Sequence, residues 1–198
     1  RVSGSNETFR NINLSLEINN VKSVVKKPQF INKQWELDIL KIFDDNIWNN
    51  YGYGSKNIFV RIIDSGISKN KDVPVLTKLS EEASNYSSNI LYKKNNWWND
   101  SDTHGTAVAG LVASKGNLLQ GISPETSLVS LKSIGDNIML EPELALKYRT
   151  DIIDIYNNSW GPYQGIVRTI DNYKIENSVN FGTYLGRNKK GCIDRKST

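Results

Sequence analysis

The apolar positions of this chain gather into short runs separated by polar, turn-rich stretches, and the period changes from run to run. Residues 1 to 25 offer only Leu14-Ser-Leu16 and Val24-Val25 as apolar groups, which predicts a weakly structured arm closed by Lys26-Lys27-Pro28. From Phe30 onward apolar residues recur through Leu37, Ile39, Leu40, Ile42, Phe43, Ile47 and Trp48 at near-helical spacing, ending in the turn-rich Tyr51-Gly-Tyr-Gly-Ser55. Ile58 to Ile63 is a β-type run stopped at once by Asp64-Ser65-Gly66, the pattern of a buried parallel strand that presents a carboxylate at its C-terminal end. Arg61 inside that run requires a partner, because a strand covered on both faces cannot leave a guanidinium unpaired.

Residues 68 to 101 read as surface loops, with one short strand around Ile90-Leu-Tyr92 and one large apolar patch at Trp97-Trp98. The small apolar run Ala107 to Ala113 follows a polar approach, Asp100 to Thr103, and predicts a helix that starts near His104 and is buried on every side. A loop over Lys115 to Gly121, a strand over Ser127 to Ile134, a helix over Leu140 to Tyr148 and a strand over Ile152 to Tyr156 come next. Val167 to Leu185 is helical in pattern, and Gly191-Cys-Ile193 begins as a strand but turns into the polar Asp194 to Thr198. This alternation predicts an α/β fold in which carboxylate, imidazole and a Gly-Pro turn share one sheet edge, where such folds collect ligands. Residues 1–27 are expected to form an arm or a pro-segment remnant, and residues 28–198 the main domain.

Composition narrows the function classes. With 198 residues, 38% hydrophobic and 23% charged, the chain can bury one sizeable core. The longest apolar runs are far too short to cross a bilayer and nothing resembles a signal peptide, so no transmembrane segment is expected in this chain. The net charge of +4 is spread along the sequence without a basic stripe interleaved with aromatics, which argues against a nucleic-acid partner. Cys192 is alone, ruling out an internal disulfide or a multi-cysteine zinc site. The triplets beginning at Asn6, Asn13, Asn85 and Asn99 are glycosylation acceptors in a secreted protein.

His104 is the sole histidine. Gly105 leaves room for a backbone to approach the ring, and Thr106 can fix the first helical turn, so the imidazole is expected to be held. A held imidazole needs a partner for each ring nitrogen, and Asp64 at its strand end is the candidate. A carboxylate fixed on a strand beside an imidazole fixed on a helix is the arrangement that proton transfer from a hydroxyl requires.

Three blocks, Ile62-Ile-Asp-Ser-Gly-Ile67, His104-Gly-Thr-Ala-Val-Ala-Gly110 and Asn158-Ser-Trp-Gly-Pro162, in that order, resemble those of the subtilisin-like serine proteases. Gln34-Trp-Glu-Leu37, Asp154-Ile-Tyr156 and Ser159-Trp-Gly-Pro162 look most like the kexin and furin branch of proprotein convertases. The resemblance spans Phe30 to Ile193 and implies a subtilisin-like parallel sheet with helices on both faces, truncated at its C-terminal side. It implies a serine-type endopeptidase acting on a polypeptide substrate in the secretory pathway or outside the cell. Carried over residue by residue, Asp64 would hold and polarise His104, and His104 would be the general base and then the general acid of acyl transfer. Ser159, Trp160 and Gly161 would form the backbone along which a substrate peptide adds as a strand, with Pro162 at its end.

The family's serine, on a Gly-Thr-Ser-Ala block, and its oxyanion asparagine, on an Ala-Ser-Gly-Asn block, have no counterpart in these residues, so the chain alone is expected to be inactive. A non-catalytic peptide-binding or regulatory relative is the alternative reading. Ser65 stands where the branch has a second acid, Tyr163-Gln164 where it has further acids after Ser-Trp-Gly-Pro, and Ala107-Val108 where it has an Arg-Cys pair. Glu141 and Glu143 fall near another family acid. Cleavage after paired basic residues is therefore not implied. The resemblance also implies a calcium site at Asp72 and Asn117, with a third acid replaced near Lys27, whose charge opposes a cation. The competing reading makes Asp72 a loop cap and Asn117 a turn residue.

Overall fold

The apolar run after Ile58 becomes β1 (Phe59–Asp64), and its alternating side chains set the layers of the domain. The computed structural model describes residues 31–86, 89–135, 138–139, 142–161 and 169–196. The arm expected over residues 1–27, together with Glu141, Pro162 and Tyr163-Gln164, lies outside them.

Two short helices, α1 (Trp35–Ile39) and α2 (Ile47–Tyr51), precede β1, with turns between them, in the stretch where apolar residues recur at near-helical spacing. Leu37, Ile42 and Trp48 bury with Ile31 in a small cluster of their own. Gln34 docks this cluster on a distant loop: its Nε2 donates to the Gln120 carbonyl at 2.8 Å and its Oε1 accepts from the Gln120 N–H at 2.8 Å.

After β1 come β2 (Glu81–Tyr86), β3 (Asn89–Lys93), α3 (His104–Ala113), β4 (Ser127–Lys132), the two-residue strands β5 (Ile134–Gly135) and β6 (Ile138–Met139), α4 (Pro142–Lys147), β7 (Ile155–Asn158), α5 (Thr169–Lys189) and β8 (Ile193–Lys196). The six-stranded sheet runs β3-β2-β4-β1-β7-β8, and β5 and β6 form a separate ribbon. β1 pairs in parallel with β4, from Phe59↔Ser127 to Asp64↔Lys132, and with β7, from Val60↔Ile155 to Ile62↔Asn157. Within the six-stranded sheet only β3 runs antiparallel to its neighbour, β2, and the β5–β6 ribbon is antiparallel as well.

Because successive strand side chains point to opposite faces, β1 feeds two cores. Val60 and Ile62 pack with Ile67, Leu128, Ala109 and Ala113 beneath α3. Ile63 packs on the other face with Val129, Leu131, Ala145, Leu146, Ile153, Tyr156 and Cys192, partly covered by Ile175 and Val179 of α5. The expected parallel sheet with helices on both faces is therefore present. Each fully buried Ile or Leu contributes roughly 1.5–3 kcal/mol.

Several boundaries differ from the pattern. The helix at His104 is not buried on every side, since Gly105, Ala109 and Ala113 are buried whereas Leu111 is 50% exposed. β2 forms from the polar Glu81–Tyr86, within residues expected as loop, because β4 and β3 supply hydrogen-bonding edges on either side. The third parallel strand starts at Ile155 rather than Ile152, for the Ile152 and Ile153 N–H groups both bond the Arg149 carbonyl in a turn. β8 continues through Asp194 to Lys196, where the sequence predicts an end, by pairing with β7 from Ile155↔Ile193 to Asn158↔Lys196. α5 is regular up to Leu185, and Gly186, Arg187 and Asn188 leave helical geometry.

Arg61, fully buried at mid-strand, finds partners in the second core. Its Nη1 donates to the Tyr148 carbonyl at 2.9 Å, its Nη2 to the Leu79 carbonyl at 3.3 Å, and its guanidinium lies 5.3 Å from the Tyr148 ring centroid. Burial pushes the guanidinium pKa down, opposed by Tyr156, Glu81 and Tyr148. The Tyr148 hydroxyl is held up at about 12, by burial first and then by its hydrogen bond to Glu81. Arg61→Ala leaves the Tyr148 and Leu79 carbonyls without their donor, and is expected to lower the unfolding free energy by roughly 1–3 kcal/mol for each, measured as a lower urea midpoint.

Candidate active site

Asp64 ends β1, and the chain reverses immediately through Gly66, whose φ of 121° lies in the region that favours glycine. A Cβ there would stand 3.0 Å from the Trp97 carbonyl oxygen. Gly105 is equally constrained, for a Cβ on it would stand 2.1 Å from the Gly66 carbonyl. These two glycines let the start of α3 press against the end of β1.

At the contact, His104 Nδ1 lies 2.9 Å from Asp64 Oδ1. Asp64 is 1% exposed at its side chain and His104 52%. An ionised carboxylate only accepts, so Nδ1 carries the proton and donates it to Oδ1. Oδ1 also accepts the Ser65 N–H at 2.8 Å, while the buried Oδ2 has no partner among the described residues. A ring fixed at Nδ1 by a buried carboxylate, with its other edge in solvent, can take up a proton at Nε2 and have the imidazolium stabilised from behind.

Ser159, Trp160 and Gly161 follow β7, and the register Ile62↔Asn157 carries them to the sheet edge where Asp64 ends. The Asn157 side-chain amide donates to Ser159 Oγ at 2.9 Å. Lys196 donates to the Trp160 carbonyl at 3.0 Å, and its ammonium sits 5.3 Å from the Trp160 ring centroid. Gly161 is exposed, and Pro162 falls outside the described residues.

Asp72 and Asn117 belong to loops that meet at Gly116. The Lys115 N–H donates to the Asp72 carbonyl at 2.7 Å, and a Cβ on Gly116 would stand 3.0 Å from the Asp72 carboxyl carbon. The Asp72 N–H in turn donates to Asn70 Oδ1 at 2.8 Å, and Asn117 is exposed. Among the described residues no three His, Cys, Asp or Glu side chains gather as metal ligands. A hard divalent cation takes six or more oxygens, and among the described residues these loops offer it one carboxylate, so by themselves they do not make a calcium site.

A model of the subtilase family matches residues 55–192, which contain both blocks of the Asp64–His104 contact and the segment after β7. The chain belongs to the subtilase family. Proprotein convertase subtilisin/kexin type 6 of Rattus norvegicus is 32% identical over 159 residues, 72% of this chain and 16% of that protein. Minor extracellular protease Epr of Bacillus subtilis is 32% identical over 107 residues, 53% of this chain and 15% of its own length. The chain thus spans about one sixth of these curated relatives. Among solved structures, the Epidermin Leader Peptide Processing Serine Protease of Staphylococcus aureus matches with a TM-score of 0.61 at 18% identity, over 85% of this chain and 43% of that one. At that identity the likeness concerns the fold. Within the subtilase frame, no helix among the described residues is long and apolar enough to cross a membrane.

Two polar pairings escape a reading of the sequence. Asp100 is buried and bonded to both Ser65 and Thr106. The only advance signal is its position in the polar approach to His104. The second pairing joins β7 to β8: the Asn158 Nδ2 donates to Asp194 Oδ2 at 3.0 Å, and Asn158 Oδ1 is buried without a partner among the described residues. Burial raises the Asp194 pKa, opposed by Lys196 and by the Asn158 bond. A carboxyl whose folded pKa is raised loses stability as pH climbs from its unfolded value through its folded one. Asp194→Asn offers Asn158 both a donor and an acceptor, and is expected to raise stability at pH 7 by about 1 kcal/mol. Differential scanning calorimetry should find that gain shrinking towards pH 3, where Asp194 itself is protonated.

Proposed function

We propose that this chain is the part of a subtilase-type serine endopeptidase domain, of the kexin-like branch, that carries Asp64 and His104 of the catalytic triad. One observation supports this above the others: the sole histidine is bonded through Nδ1 to a buried carboxylate and leaves its opposite edge to solvent. Asp64 orients and polarises the ring. His104 takes the proton of a serine hydroxyl as that oxygen attacks a peptide carbonyl, then gives it to the leaving amine. The serine and the oxyanion asparagine come from outside these 198 residues, so the isolated chain hydrolyses no peptide. Ser159, Trp160 and Gly161 align the polypeptide substrate on the sheet edge. The extracellular naming of one relative, the convertase naming of another and the glycosylation triplets support a secretory or extracellular setting.

A fluorophosphonate probe, which labels an activated serine, tests the reading on the full-length protein. The expected result is labelling that His104→Ala abolishes and that Asp64→Asn slows by about 10⁴-fold. Labelling indifferent to His104→Ala would overturn the assignment of the base. Absence of labelling in a protein that still binds peptides would establish the non-catalytic, peptide-binding reading in its place.

A further inference from the structure

Thr103, the residue before α3, has φ of 62° and makes no side-chain cap, so the N-terminus of the helix that carries His104 lacks its ordinary anchor. A helix start with unsatisfied N–H groups frays, and a frayed first turn would let the His104 ring leave Asp64. Asp100 supplies the missing anchor from four residues upstream. Its Oδ2 accepts the Thr106 N–H at 2.8 Å and also bonds the Thr106 hydroxyl, whose oxygen accepts the Ser68 N–H at 2.9 Å. Its Oδ1 accepts the Ser65 hydroxyl at 2.7 Å. Ser65 Oγ in turn accepts the Gly105 N–H at 3.1 Å. Ser65 has a single hydroxyl proton, and the Asp64 contact at 3.1 Å is the longer of its two acceptors, so the proton goes to Asp100.

We infer that Asp100, acting through Ser65 and Thr106, is a positioning residue that sets the orientation of the His104 imidazole against Asp64. The Asp100 carboxylate joins three segments: the turn after β1 through Ser65, the loop before α3 in which it lies, and the first turn of α3 through Thr106. It reaches the N–H groups of both residues that follow His104, Thr106 directly and Gly105 through Ser65. Rotation of the first turn away from β1 would break four hydrogen bonds to buried groups together. Ser65 is 2% exposed and committed to this network, so it faces the histidine helix rather than a substrate. The inference deepens the reading of Asp64 and His104 as a proton-transfer pair, and it adds a second buried carboxylate with no role in the proton transfer itself.

Because His104 is the only histidine, ¹⁵N-histidine labelling gives a spectrum of this ring alone. The full 198-residue chain is expected to show one imidazole species with the proton on Nδ1. Asp100→Asn keeps the size of the side chain but weakens its acceptance from Thr106 and Ser65. It is expected to mix the two tautomers and to speed Nδ1 proton exchange about tenfold. Ser65→Ala, a milder change, should move both in the same direction by less, and Asp102→Asn, at an exposed acid on the same loop, should move neither. A folded Asp100→Asn chain that melts earlier but keeps the wild-type tautomer and exchange rate would reduce Asp100 to a structural cap and overturn the inference. If that variant does not fold, an unchanged ring in Ser65→Ala overturns it equally. The readout needs no turnover, so a chain without protease activity leaves this test intact, while loss of probe labelling alone would count against the functional reading only.

Discussion

The bond between Asp64 Oδ1 and His104 Nδ1 spans 40 positions in sequence, and most of the domain is arranged so that it can form. Its geometry tolerates little error, because N–H···O bonds cluster at about 2.9–3.0 Å and weaken steeply once the angle at the proton falls below about 120°. One end is fixed by the sheet. β1 is hydrogen-bonded on both sides, to β4 as far as Asp64 and to β7 as far as Ile62, so the end of the strand that carries Asp64 is held in place. The other end is fixed by packing, since Ala109 and Ala113 lie fully buried in the core with Val60, Ile62 and Leu128. The small residues of α3 follow from this closeness. A larger side chain at Ala109 would push the helix off the sheet and the ring off its carboxylate.

Closeness also explains why the polar groups around the pair are buried. Helix and strand meet where both have unsatisfied backbone groups, the first N–H groups of α3 among them. Water cannot reach such a junction, so side chains have to do the bonding. Ser65 and Asp100 are those side chains. The result couples orientation to stability, since the carboxylate that anchors the helix also ties down the turn that follows Asp64.

What the sequence made legible follows the same division. β1 and α3 could be read directly, because an apolar run ending in Asp-Ser-Gly and a histidine preceding a run of small residues are local patterns with local causes. The pair itself could be named by elimination, there being one histidine. β2 could not be read, since Glu81 to Tyr86 carries no alternation and becomes a strand only through its neighbours. Ile152 and Ile153 look like a strand, yet the apolar character of Ile153 serves the core from within a turn. Ser65 and Asp100, 35 residues apart, acquire their bond only once β1 and the loop before α3 are side by side. Asp72 and Asn117 show the reverse case. The resemblance implies a cation there, and the fold brings their loops together around Gly116, with the Lys115 N–H bonded to the Asp72 carbonyl.

The charges along the active edge carry the last step. If the kexin-like reading holds, the acids that this branch carries near its substrate strand to recognise basic side chains are the ones to look for. Here the side chain at the second-acid position, Ser65, is turned inward to Asp100, and the cations Lys132 and Lys196 donate to the carbonyls of Asn99 and Trp160. If the segment after β7 aligned a peptide, an ammonium beside it would repel a basic side chain and attract an acidic one, by roughly 1 kcal/mol at 4 Å in water. On the functional reading proposed here, the residues for moving a proton are kept, whereas Ser65 stands inward-facing at one position where the kexin-like branch carries an acid. The Asp64–His104 pair and these lysines therefore rest on separate elements: the pair is locked by β1 and α3, while Lys132 ends β4 and Lys196 ends the edge strand β8.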